Sequence, residues 1–165
     1  MPLSEWRPGW GTEEGSRLSL ATLTGFVPFL SRGINMRADA LAGLPWSIRN
    51  KSDDDVWTSD DALPPDDLKW LANLPEVLHR IESSLTVSST GFLLKERNRM
   101  RVLGLRFLSP DTMAAVWDTR NGLTHFERSI VDTRTRFLPE EIVYFWSKGL
   151  HETTPRPSPA QNAAN

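Results

Sequence analysis

Cysteine is absent from the 165 residues. That excludes a disulfide framework, thiolate metal sites and a thiol nucleophile. Long apolar runs are missing too. No stretch approaches the roughly 20 residues that a membrane-spanning helix needs, so no membrane partner is expected. The opening Met1-Pro2-Leu3-Ser4-Glu5-Trp6 lacks the basic and apolar regions of a secretory leader. Histidine is scarce: the three are His79, His125 and His151, on an expected helix, strand and tail. None has the short spacing of metal-ligand motifs. No G-x-S-x-G elbow occurs. Gly104 falls inside an expected strand, and Gly11 and Gly15 fall in the N-terminal segment, so neither a P-loop nor a dinucleotide fingerprint is formed. Asp53-Asp54-Asp55 lacks the ordered pattern of a calcium loop and reads as a solvated turn. No catalytic, cofactor-binding or metal-binding residue is nominated, no cofactor is expected, and the chain is not read as an enzyme. A carboxylate or Ser/His cluster converging in a deep pocket would overturn that reading.

What is present suits a folded domain. Hydrophobic residues make up 39% of the chain and charged residues 24%, enough for a core. Seven tryptophans offer large areas to bury in cores or interfaces. The net charge of −2 hides an uneven distribution: Asp53 to Asp67 holds seven aspartates and no base, while Lys95 to Arg106 holds five bases against Glu96 alone. These are either two solvated faces or opposite edges of a subunit that attract one another in a ring. Lys95, Arg97, Arg99 and Arg101 alternate, so on a strand or hairpin they would share one face. Such a face could meet DNA phosphates or a neighbouring subunit.

The hydrophobic period divides the chain. Leu30, Ile34, Ala38 and Leu41 recur at spacings of four, four and three, which predicts a helix over about 29–42. Pro28 suits its first turn, and Gly43-Leu44-Pro45 ends it. Trp46-Ser47-Ile48 and Val56-Trp57-Thr58 read as a short hairpin. Asp66 or Asp67 is placed to cap a short helix through Leu68, Trp70 and Leu71. Pro75 opens a helix with the stripe Val77, Leu78, Ile81 and Leu85. From Val87 the period becomes two. Strands are expected at Phe92 to Arg97, Leu103 to Phe107, Met113 to Trp117, Leu123 to Ile130, Thr135 to Phe137 and Ile142 to Phe145, with Asn121-Gly122 as a hairpin turn.

These readings predict an α+β fold: a mainly antiparallel sheet over 90–147, with two or three helices packed on it. Phe92, Leu94, Leu103, Leu105, Phe107, Trp117 and Val143 are the expected core. Residues 1–27, with Trp6 and Trp10, are expected to form a flexible arm, 28–148 the domain, and 149–165 a proline-rich segment with the start of a helix.

The order of the pieces carries a resemblance. A helix ends in Ala38-Asp39-Ala40-Leu41-Ala42-Gly43-Leu44-Pro45 and runs into an edge hairpin. There follow Thr90-Gly91-Phe92-Leu93-Leu94-Lys95, then Leu108-Ser109-Pro110, the Asn121-Gly122 hairpin, Leu138-Pro139-Glu140-Glu141-Ile142, and Pro157-Ser158-Pro159-Ala160. From Pro28 to Ala164 this succession resembles the N-terminal, wing-like part of tailed-bacteriophage portal proteins. The resemblance implies a structural subunit of a ring, usually of twelve, at one capsid vertex of the virion. DNA passes non-specifically through its channel during packaging and ejection. The implied partners are other portal subunits, terminase, head-tail connector proteins and capsid protein. The implied stem helices would follow the matched region. The competing expectation is a stand-alone adaptor module that binds protein through exposed tryptophans and has no catalytic activity.

Overall fold

The computed structural model describes residues 28–99, 101–118, 120–148, 155–156 and 158–160. The expected arm at 1–27 with Trp6 and Trp10, His151, and most of the segment 149–165 lie outside them. Among the described residues the fold is α+β, with antiparallel sheets and two helices.

Helix α1 (Pro28–Ala42) buries Ile34 and Ala38, one turn apart on the expected face. Pro28 takes the first turn, where its missing N–H is not needed. At the other end Gly43 N–H donates to the Asp39 carbonyl at 2.9 Å. A Cβ on Gly43 would lie 3.1 Å from that same oxygen, so the close turn suits glycine. Helix α2 (Leu74–Ser88) buries Val77 and Ile81 together with Ser84, Thr86 and Val87. It runs past the residue where the period was expected to change, because Thr86 and Val87 are still packed in its last turn. Ser89 then breaks it in the left-handed region, at φ 60°, with its N–H on the Leu85 carbonyl.

Strands β1 (Ser47–Arg49) and β2 (Asp55–Thr58) form the small hairpin that connects the two helices. The turn after it, Lys69–Leu71, is a short 3₁₀ helix whose N-cap is Leu68, with no side-chain cap. The cap expected from Asp66 or Asp67 is therefore not made; Asp66 instead pairs with Lys69 Nζ at 2.7 Å.

The segment expected to form one sheet forms two, each three-stranded. The middle sheet has the order β4-β3-β8, from β3 (Thr90–Arg97), β4 (Val102–Leu108) and β8 (Ile142–Trp146). The outer sheet has the order β5-β6-β7, from β5 (Met113–Asp118), β6 (Gly122–Ile130) and β7 (Thr133–Phe137). The middle sheet is covered on both faces, so its residues divide between two cores. Phe92, Leu108 and Ile142 meet Met113, Ala115 and Phe126 of the outer sheet. Leu93 turns the other way to Val77 and Ile81 of α2, joined by half-buried Leu105, Phe107, Val143 and Phe145. Alternation along a strand dictates this division. It also explains why Leu94, Leu105, Phe107, Trp117 and Val143 are half-buried, each lining the margin of a core.

Leu103 departs from the expected core: it is 51% exposed. The β3–β4 register slips by one residue between Glu96↔Gly104 and Arg97↔Val102, and Leu103 is the residue passed over. A bulge of this kind turns its extra residue out of the alternation. The first helix also departs. It packs chiefly on α2, where Arg37 holds Glu82 at 2.7 Å and His79 approaches Asp39 at 3.3 Å, and not on the sheets. The layers therefore run α1, α2, middle sheet, outer sheet.

Candidate functional site

The four nominated bases occupy two different settings. Lys95 and Arg97 share a face of β3, as alternation requires. Both donate to the Glu140 carbonyl, Lys95 Nζ at 3.1 Å and Arg97 Nη2 at 2.5 Å. Two cations on one carbonyl tie the end of β3 to the 3₁₀ turn Pro139–Glu141 ahead of β8. The turn is braced again by the Leu138 N–H on Glu141 Oε2 at 2.7 Å. Arg99 and Arg101 lie beyond the strand, exposed in the β3–β4 turn, where Arg101 N–H donates to Asn98 Oδ1 at 2.9 Å. Alternation stops at the bulge, so the four do not form one continuous face. Arg106 faces Glu96 at 3.1 Å on the same hairpin.

The acidic segment is partly self-neutralised. Arg49 reaches Asp55 at 2.9 Å and Asp53 at 3.1 Å across the β1–β2 hairpin. These partners hold the guanidinium pKa above its ordinary value, Asp53 contributing most. Asn50 Oδ1 accepts from Ser52 and Asp54 N–H, which folds the turn and leaves Asp53 at φ 66°. Asp61 Oδ2 accepts from both Thr58 N–H and Thr58 Oγ1. The three consecutive aspartates thus make a tight turn. Among the described residues no group of acids and histidines is arranged to hold a metal ion.

One titratable cluster was not anticipated. Thr124 Oγ1 lies 2.9 Å from the Val116 carbonyl and 3.0 Å from His125 Nδ1, and His125 Nε2 lies 3.2 Å from Glu127 Oε1. A bulge brings them together: the β5–β6 register slips between Val116 and Trp117, and Thr124 is the residue passed over. The hydroxyl has one proton to share between a carbonyl and an imidazole. The shallow depression lined by Pro28, Ser31, Arg32, Asn35, Met36 and Asp39 lies on α1, in another layer. The cluster and the depression do not meet.

Aromatic rings join the two sheets. Phe92 stacks on Tyr144 at 5.0 Å between centroids, Tyr144 on Trp146 at 6.1 Å, and Phe126 meets Phe92 and Tyr144 edge-on at 5.8 and 5.3 Å. Burial pushes the Tyr144 hydroxyl up to about 12. Of the five described tryptophans, Trp57 is buried and Trp46, Trp70, Trp117 and Trp146 are half-buried. None offers the exposed ring that an adaptor module was expected to use.

The exposed large hydrophobic side chains of the outer sheet belong to the β6–β7 hairpin, which the sequence did not nominate. Its tip residue Val131 is 93% exposed. The available signal was an apolar pair, Ile130-Val131, standing where a polar turn was due.

No protein-family model matches the chain, and no curated protein matches it. Solved structures do. A chain in the neck of an empty gene transfer agent (GTA) particle, computed with C6 symmetry, aligns with a TM-score of 0.66 at 18% identity, over 91% of this chain and 42% of that one. A chain in the neck of a native GTA particle, computed with C12 symmetry, aligns at 0.62 and 18% identity, over 99% and 42%. A chain in the virion of a native GTA particle aligns at 0.60 and 18% identity, over 91% and 41%. The likeness is one of fold, and this chain spans about two-fifths of the length of the chains it matches.

Proposed function

We propose that this chain is the wing-like part of a portal-type subunit in the neck of a phage-like particle. The observation that carries the reading is the fold match over 91–99% of the chain to chains from GTA necks. Those necks were computed with C6 and C12 symmetry, and a twelve-membered ring is compatible with both. The ordered motifs from Pro28 onward independently support the same family. In this reading residues 28–148 are the wing-like unit, with the segments 1–27 and 149–165 flanking it. Its work is structural: it holds subunits in a ring through which DNA is packaged and ejected. Terminase, capsid and head-tail connector proteins dock on that ring at the portal vertex. Arg99 and Arg101, exposed at the β3–β4 turn, are the bases available to DNA phosphate or to the next subunit, whereas Lys95 and Arg97 support the turn beneath them.

The test is location. An epitope-tagged copy expressed in cells that produce the particles should be carried into them and be labelled by gold-conjugated antibody at the head-tail junction. Label confined to the tail tip or distributed over the capsid faces, or particles free of the chain, would reject the reading.

A further inference from the structure

The β6–β7 hairpin outruns the sheet that carries it. Pairing of β5 with β6 ends at Met113↔Arg128, whereas β6 and β7 continue through Ser129↔Arg134 and Ile130↔Thr133. Val131 and Asp132 then form the tip. Val131 has φ 51°, in the left-handed region. That conformation is costly for a β-branched residue, and hairpin turns usually place Gly, Asn or Asp there. The valine side chain is 93% exposed and Ile130 beside it 45% exposed, so packing within the fold does not offset the cost. Residues Thr133 to Arg136 of the edge strand β7 are all exposed. Among the described residues Arg134 and Arg136 form no ion pair. Charges on an edge strand can serve simply to block sheet-to-sheet pairing. A strained apolar tip does not serve that purpose.

The complementary patch is on the same chain. Leu63 is 81% exposed and stands between Asp60-Asp61 and Asp66-Asp67, all of them exposed. Each patch has an exposed apolar residue. Arg134 and Arg136 of β7 outnumber the tip acid Asp132, and Asp60, Asp61 and Asp67 stay acidic around Leu63 while Asp66 pairs with Lys69, so the two patches are opposite in charge. The acidic segment belongs to the helical side, between α1 and α2, and the hairpin belongs to the outer sheet, with the middle sheet between them. Two copies joined through these patches leave one free patch of each kind, which is the head-to-tail type of contact.

We propose that the β6–β7 tip docks on the 60–67 segment of a second copy of this chain. Val131 covers Leu63, and Arg134 and Arg136, which share the face of β7 opposite to Ile130, face the aspartates around it. The contact rests on this charge and burial pattern and does not depend on the neck assignment.

Sedimentation velocity of the full chain over a range of concentrations at low salt tests it, with thermal melts alongside. Val131→Asn should leave the melting temperature no lower, since asparagine tolerates the left-handed region, yet weaken self-association about tenfold. The pair Arg134→Glu with Arg136→Glu should weaken it by about tenfold or more, because like charges are then opposed. Adding Asp60→Arg and Asp67→Arg to that pair should restore association to within about threefold of the parent. A parent chain that stays monomeric throughout would overturn the proposal. So would Val131→Asn melting lower or associating as the parent does, or a charge swap that restores nothing. Association that survives both the tip and the charge variants would overturn it too, while leaving the neck reading standing.

Discussion

Truncation of Phe126 to alanine tests the packing between the two sheets. The ring is 1% exposed, lies edge-on to Phe92 at 5.8 Å and to Tyr144 at 5.3 Å, and belongs to a cluster drawn from both sheets. Burial of a phenylalanine side chain is worth about 1.5–3 kcal/mol in transfer alone. The cavity left behind raises the loss to about 3–5 kcal/mol, because neighbours anchored in two sheets cannot collapse into the space. For a chain of this size each kcal/mol moves the melting temperature by about 2–4 °C, so a fall of about 6–20 °C is expected. Phe126→Leu keeps most of the volume but forfeits two edge-on aromatic contacts, and should lose about 1–2 kcal/mol. Phe107, half-buried under α2, is the informative control. Phe107→Ala should cost less than Phe126→Ala, about 1–3 kcal/mol, since part of its ring already meets water. Urea unfolding followed by circular dichroism measures all three. A Phe126→Ala loss below about 1 kcal/mol, or one smaller than that of Phe107→Ala, would refute the placement of the core between the sheets.

Tyr144 is the only tyrosine, so absorbance titration reads it alone; it should ionise near pH 12. Its folded pKa is raised above the unfolded value of about 10, so the unfolded chain releases its proton first, and stability should fall between about pH 10 and 12 by at most about 2–3 kcal/mol. A titration midpoint near 10 in the folded chain would contradict the burial. Ser84, 1% exposed, donates to the Thr90 carbonyl at 2.5 Å where α2 passes into β3. Ser84→Ala should therefore lower stability by about 1–3 kcal/mol in urea unfolding, and an unchanged midpoint would show the bond to be dispensable. Gly122 closes the β5–β6 hairpin at φ 74° with open space about it, so Gly122→Ala should cost about 1 kcal/mol through backbone strain alone; a stabilised variant would contradict that turn geometry.

The elements themselves were legible because each depends on neighbours in the chain. Ile34 and Ala38 lie one turn apart, Pro28 and Pro75 mark helix starts, and Gly122 marks a turn that needs positive φ. Period two, read from Val87 onward, located all six strands of this segment, each with its ends within two residues of those observed. The candidate site was less legible. Alternation placed Lys95 and Arg97 on one face, but it could not show that Glu140, more than forty residues away, would receive both. The acid cap before Lys69 failed for a local reason: Asp66 found an ammonium group in place of the backbone N–H.

The sequence by itself determined the kinds of element, their order and an antiparallel α+β class, because periodicity, turn residues and proline act over a few residues. Tertiary structure decided how those elements divide. Leu93 and Phe92 are adjacent and equally apolar, yet one faces α2 and the other faces the outer sheet. Nothing in a strand says whether one of its faces or both will be covered. The bulges that expose Leu103 and bring Thr124 to His125 are likewise settled by register between two strands. The exposure of Val131 is settled by where β5 stops, since a side chain is buried or bare only in relation to what lies across from it.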